Sequence, residues 1–493
     1  MLLATEGHTE LPWRLDGMAR PGSHRLFVSA RVGVAAAGLA LVQPVLGPAL
    51  PLAAVEMTSR QPQMRVLVAE GARLDLRADG SNRFQVRGLG RRAQQLTRLQ
   101  VRLSGGRLLV DSPDLSGARQ VRVTGLTVHS QDPRGIWLGK RRYAGSLELM
   151  VRNGRLQAVN HLGVETYLAS VVGSEMPQDW PLAALQAQAV AARTYALRQR
   201  GRKGSFDVQA TVASQVYRGL ESATPRTQEA VDTTRSLVMV HGGKLINAVF
   251  HSSSGGATEP SGEVWRTQLP YLVSVPDHDA QSPVHRWRQT FDRSQLQAAF
   301  RETDGLQAVD VLRTSSTGRL RSVRVRGPGG SVVLSGRELR QRLGLKSTMV
   351  RFNWLAQDVA GQHSRPAQQG GLPEGDRPLL IGLWRDSASG SSTSPQRHVR
   401  SQALILPPPP PPPLVQAPGL SAPQSGRVLE VRGQGFGHGV GMSQWGARGL
   451  AEQGADFRQI LRHYYRGITI RPFQPADDPS MAFHPALRPA WNS

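Results

Sequence analysis

One carboxylate stands out as a group that could do chemistry. Glu175 lies in Val171-Val-Gly-Ser-Glu-Met-Pro177, with Trp180 three residues further on. A carboxyl group beside a thioether and an indole loses hydration. That raises its pKa and lets it hold a proton near neutral pH, as a general acid must. Arg193, on the helix expected next, would act in the opposite direction if it came close. On chemistry alone Glu175 is either such an acid or an exposed loop acid at a helix entry.

Two further stretches carry polar groups at conspicuous spacing. In His251-Ser-Ser-Ser-Gly-Gly256, His251 and Ser252 are neighbours on an expected strand and so face opposite sides. No G-x-S-x-G elbow accompanies them, so they read as groups lining a site at a strand end. Gly435-Phe-Gly-His-Gly-Val-Gly-Met-Ser-Gln-Trp-Gly-Ala447 fits neither phosphate-loop template. Its alternating glycines let the backbone approach a neighbour closely, or let His438 and Gln444 reach a groove unobstructed. A tight strand-to-helix turn accounts for them equally well. His251, His278, His285 and His438 lack paired metal-ligand spacing and the chain has no cysteine. No metal and no cofactor is expected.

The elements that must position these groups are legible in part. Between Met64 and Leu156 apolar residues alternate with polar ones, as in Val66/Val68, Leu74/Leu76, Leu99/Val101/Leu103 and Leu147/Leu149/Val151. Asn153-Gly154 marks a hairpin. Pro181 opens a helix over 181–197, with Leu182, Leu185, Ala189, Ala192 and Ala196 on one face. A short helix is expected over 227–234, a second hairpin turns at Gly242-Gly243, and strands follow near 309–312, 320–325 and 331–334. Ser335–Glu338 forms a capping box. A last helix starts near Asp456 and presents Phe457, Ile460, Leu461 and Tyr464 to a core, with Gly467 as its stop. The fold class is α+β: mostly antiparallel β with a few packed helices, one groove, and a disordered Pro-rich insertion.

Composition bounds the rest. At 493 residues the chain is long enough for two or three modules. The formal charge is +24, and only four of sixty basic residues are lysine. Arginine spread over the whole chain favours an anionic partner such as wall polymer or membrane surface. There is no zinc-finger spacing, RNA-binding aromatic signature or basic heptad helix, so nucleic acid is not expected. Residues 1–54 combine a basic lead, an apolar run and small residues, an export signal that is either cleaved or kept as a membrane tether. The expected location is the periplasm or cell envelope. Residues 360–425 are rich in Pro, Ser and Gln, with seven consecutive prolines from Pro407 to Pro413. Such a segment reads as a flexible spacer. Residues 473–493 read as a tail.

Taken together, Ser174–Pro177 with Gln186–Tyr195, His251–Gly256 with Thr258-Glu259 and Val264-Trp265, and Gly437–Ala447 resemble the stage II sporulation protein D family (SpoIID/LytB). The resemblance runs over 62–352 and 426–472 in the same order and makes the Pro-rich segment an insertion within one domain. It implies a peptidoglycan-directed lytic transglycosylase that favours glycan strands stripped of stem peptides. The glutamate of its SEMP-like loop, Glu175 here, would be the catalytic acid/base. Arg193, His251, Ser252, His438 and Gln444 would be substrate-groove positions. Family members that bind zinc do so through a pair of cysteines, which this chain lacks. Relatives described as amidase enhancers imply an alternative: a non-catalytic wall-binding module that recruits or enhances an amidase.

Overall fold

The computed structural model describes residues 61–115, 120–201, 204–211, 213–356 and 427–479. The expected export signal, the Pro-rich insertion and most of the tail lie outside these residues. The described part is mixed α and β, with strands predominating.

The alternating stretches form two sheets. A seven-stranded sheet runs in the order Val208–Gln209, Gln63–Gly71, Arg155–Gly163, Ser146–Arg152, Gly125–His129, Phe84–Arg87, Gln94–Leu96. Its pairings are antiparallel except for the short Val208–Gln209 strand, which lies parallel to Gln63–Gly71. A six-stranded antiparallel sheet contains Arg73–Arg77, Arg98–Ser104 and Arg107–Asp111 at its middle. Period-two burial gives each sheet one apolar face. Met64, Val66, Leu74, Leu76, Leu99, Val101, Leu147 and Leu149 all enter one core. The Asn153-Gly154 hairpin turns as expected, with φ of 50° and 69°, the left-handed pair a tight hairpin requires.

Strand Arg155–Gly163 runs directly into helix α1 (Val164–Glu175), and α2 (Leu182–Gln199) follows after a short loop. The lead into Glu175 is therefore helical rather than a short lead and loop, and Glu175 is the last residue of α1. Both helices are buried on nearly all sides. Alanine and glycine make that possible, because small side chains let backbones approach. A Cβ at Gly173 would lie 1.9 Å from the Ser222 carbonyl oxygen. Helix Pro225–Asp232 packs against both, and helix Phe457–Tyr464 packs on α2 through Phe457, Ile460, Leu461 and Tyr464.

A second core gathers Phe291, Phe300, Val323, Val325, Leu339, Leu429 and Val431. It is built from two antiparallel three-stranded sheets. One holds Arg286–Phe291, Arg427–Gln434 and Val350–Ala356, with Arg427–Gln434 central. The other holds Ala308–Thr314, Leu320–Gly327 and Gly330–Ser335. The Ser335–Glu338 capping box starts helix Gly336–Arg342. Central strand Arg427–Gln434 leads straight into the glycine-rich stretch.

Candidate active site

Glu175 is placed by the end of α1, where Met176 leaves helical geometry with φ −132° and ψ 143°. The last carbonyls of a helix carry partial negative charge, so a carboxylate there is disfavoured relative to its acid. One oxygen, Oε1, accepts the Val216 backbone N–H at 2.9 Å. The other, Oε2, accepts from Gln444 Nε2 at 3.3 Å. Met176 and Trp180 are buried beside it, while Glu175 keeps a partial opening to solvent. Loss of hydration raises the Glu175 pKa above the usual glutamate value. The two hydrogen bonds and the charge of Arg218 pull it down, but desolvation prevails.

The segment holding the Val216 amide is pinned from below. Tyr167 donates its hydroxyl to Gln215 Oε1 at 3.0 Å, and Gln215 Nε2 donates to the Ala192 carbonyl at 3.2 Å. Tyr217 donates to Asn160 Oδ1 at 2.9 Å, and the Tyr167 and Tyr217 rings lie 5.1 Å apart. In the sequence, Tyr217-Arg218-Gly219 stands out only as the end of a Gly/Ser-rich gap, and nothing there marks Gln215 or the Val216 amide as part of a site.

Gln444 arrives from the far end of the chain. Strand Phe250–His251 pairs in parallel with Met442–Ser443, matching His251 to Ser443. Ser443 then caps the helix Gln444–Glu452, accepting the Gly446 N–H at 3.1 Å. The approach needs glycine: Gly441 has φ 73°, and a Cβ there would sit 2.1 Å from the Val249 carbonyl oxygen. The indoles of Trp180 and Trp445 meet edge-on at 4.8 Å. The Arg448 guanidinium lies 5.5 and 5.1 Å from their ring centres. The loop after Glu175 and the Gln444 helix are thereby locked together.

His251 and Ser252 lie behind Gln444. Ser252 accepts the Trp445 N–H on its carbonyl at 3.0 Å. Its hydroxyl is buried and, among the described residues, has no hydrogen-bond partner. His251 Nδ1 lies 3.2 Å from the Val440 carbonyl oxygen, while its buried Nε2 has no hydrogen-bond partner among the described residues. The His438 ring is 5.4 Å from that of His251 and 5.5 Å from Trp265. Burial holds His251 well below the usual histidine range and His438 at about 3. Both imidazoles are therefore neutral at ordinary pH and can accept or donate hydrogen bonds without bringing charge.

The 251–256 strand end is held by Asp277, Asp279 and Arg319, which the sequence did not flag. Asp279 accepts from Ser253 Oγ at 2.5 Å, from the Gly255 N–H at 2.8 Å and faces His285 Nδ1 at 3.0 Å. Asp277 accepts from Ser254 Oγ and, at 2.6 Å, from the Tyr464 hydroxyl. Arg319 donates to the Ser254 carbonyl at 2.6 Å and lies 3.4 Å from Glu259.

Arg193 lies apart from the groove expected for it. It does not reach Glu175 or line a substrate groove. It is fully buried in α2 and faces Glu165 of α1, with Nη2 to Oε2 at 2.6 Å and Nε to Oε1 at 3.0 Å. It also donates to the carbonyls of Leu237 and Val231 at 3.2 and 3.3 Å. A side chain so enclosed positions helices. The structure thus brings Glu175 and Gln444 into contact, sets His251, Ser252 and His438 behind them, and leaves Arg193 out.

The family model described as "Stage II sporulation protein" (SpoIID) matches residues 152–241, which include Glu175 and the Val216 amide. The chain is 29% identical over 312 residues to the "Amidase enhancer" of Bacillus subtilis (strain 168), covering 62% of this chain and 40% of that protein. It is 27% identical over 340 residues to "Stage II sporulation protein D" of Bacillus amyloliquefaciens, covering 64% of this chain and 75% of that one. An uncharacterized protein of Brachyspira hyodysenteriae is 28% identical over 352 residues, covering 70% and 76%. With three motif-bearing segments meeting around one desolvated glutamate, the chain resembles the SpoIID/LytB family, and that likeness supports a cell-wall-related role.

Proposed function

We propose that the protein is a lytic transglycosylase that cleaves peptidoglycan glycan strands, with Glu175 as its one acid/base. The observation that carries this reading is the Glu175 carboxyl itself, its pKa raised by desolvation and its two oxygens held by the Val216 amide and Gln444. Glycosidases that use water employ two carboxyl groups. A transglycosylase needs one. Glu175 protonates the glycosidic oxygen as the bond from muramic C1 breaks. The carboxylate so formed takes the proton from the muramic C6 hydroxyl as O6 closes on C1. The products are a new sugar hydroxyl and a 1,6-anhydro-muramyl end, and the acid is regenerated. On the family resemblance, Gln444, which touches Glu175, and His251, Ser252 and His438 behind it are assigned to the glycan groove, with neutral donors and acceptors suited to sugar hydroxyls. Strands stripped of stem peptides are the expected substrate, on the family resemblance. Export to the cell envelope, cleaved or tethered, belongs to the same reading and rests on residues 1–54.

The test is to digest purified denuded glycan with the full chain and with Glu175→Gln. Anhydro-muramyl ends from the first and none from the second are expected. Equal yields from both overturn the assignment. The relative named "Amidase enhancer" supports a second reading, a wall-binding module that stimulates an amidase. In that case insoluble wall pelleted with the protein gains no new ends, and Glu175→Gln weakens pelleting.

A further inference from the structure

The outer face of the sheet under the second core carries a charge pattern that glycan cleavage does not use. In that sheet Arg432, on the central strand, stands directly opposite Arg288 on one neighbour and Arg351 on the other. Directly opposed residues share a face, with Cβ atoms about 5 Å apart. Three guanidinium groups therefore form one row across three strands. Arg286 lies on the same face two residues from Arg288, opposite Gln434. All four arginines are exposed. Arg432 is paired with Glu430, Nε to Oε2 at 2.7 Å. Arg286, Arg288 and Arg351 have no ion pair among the described residues. Like charges set opposite one another oppose strand pairing, so the row is a standing demand for anions. The four arginines line a cavity of about 820 Å³, which Trp287 and the Thr317-Gly318 turn also line.

We propose that this cavity binds an anionic polysaccharide, through carboxylate or phosphate groups repeating along the chain. A guanidinium fork matches both groups in two-point geometry, and the row offers such forks at strand spacing. A saccharide fits better than single-stranded nucleic acid, because the cavity is lined by a single aromatic ring and so offers no series of rings for successive bases to stack on. That ring, Trp287, donates its indole N–H to the Gly435 carbonyl at 2.8 Å and covers Gly433. The site lies on the strand that leads through Gln434 into the glycine-rich stretch, so a bound polymer would sit along the chain from Gln444. It does not depend on what Glu175 does.

The test uses the full chain, the variant Arg288→Gln/Arg351→Gln, and as a control Arg77→Gln/Arg98→Gln. The control removes an equally exposed, directly opposed arginine pair from another sheet. Labelled oligogalacturonate, poly(glycerol phosphate), neutral dextran and a single-stranded oligonucleotide are titrated at low and moderate salt. The expected result is about tenfold or greater weakening of the anionic saccharides in R288Q/R351Q, with a shallower salt dependence, and little change in the control. Binding of the uronate alone points to a carboxylate polymer, and of the phosphodiester alone to a polyol phosphate. Equal loss in both variants, or none in either, overturns the site. Tighter binding of the oligonucleotide than of either saccharide overturns the choice of ligand.

Discussion

Replacing Arg193 separates a helix-positioning role from a substrate-binding one. Arg193→Met removes a guanidinium that is fully buried and makes charge-assisted bonds to Glu165, itself nearly enclosed. Glu165 then keeps the Ser236 N–H at 3.2 Å but loses its counter-charge. The carbonyls of Leu237 and Val231 lose a donor as well. Breaking a buried pair from one side costs about 3–5 kcal/mol, because the remaining charge stays desolvated. The lost donors add to that cost. Urea unfolding followed by tryptophan fluorescence should show a drop of that size at an unchanged slope. In the double variant Glu165→Met/Arg193→Met no charge is left stranded, so stability should recover in large part, short of wild type by the two unpaired carbonyls and the Ser236 N–H that loses its acceptor. Glycan pelleting by whatever fraction remains folded should match wild type. A stable Arg193→Met protein that no longer binds glycan would refute the assignment.

Three further outcomes follow from the same geometry. The raised pKa of Glu175 sets the alkaline limb of the activity profile, since activity falls as the acid loses its proton. Gln444→Met removes a bond that lowers this pKa, of about 1 kcal/mol for a long hydrogen bond to a charged group, so the limb moves to higher pH. His251 and His438 are held below the ordinary 6.5. The unfolded chain therefore takes up their protons first, and stability falls as pH drops from about 6.5 toward 3. His438→Gln should make that fall shallower by up to about 1.4 kcal/mol per pH unit, read by urea unfolding at several pH values. Gly441→Ala forces a side chain onto the Val249 carbonyl at positive φ. It should cost about 3 kcal/mol or more and lower the unfolding midpoint; a midpoint like wild type would count against the close approach.

Most of the strands were legible because one face of each is buried. Leu74, Leu76, Leu99, Val101, Leu147 and Leu149 are buried and alternate with exposed or half-buried neighbours, and Asn153-Gly154 names its own turn. Capped helices announced themselves too, as at Ser335 and Asp456. Helix α1 did not. Gly163 precedes it without a side-chain cap, Val171 and Val172 favour strand, and burial on nearly every side erases the helical period. The contact of Glu175 with Gln444 spans 269 residues of sequence, and only the likeness of both stretches to one family placed them together. Arg193 went astray for the opposite reason. A lone arginine in an alanine-rich helix carries no direction, and its partner Glu165 lies 28 residues earlier on another helix. The Val216 amide was invisible because a backbone donor leaves no mark in residue types.

The central claim is that Glu175 serves as both acid and base while no water enters the bond. Digestion of denuded glycan in heavy-oxygen water, followed by mass spectrometry of the new ends, reads this directly. The account predicts 1,6-anhydro-muramyl ends without heavy oxygen, absent when Glu175→Gln replaces the wild-type chain. Reducing ends carrying one heavy oxygen, or ends that persist in Glu175→Gln, would contradict it.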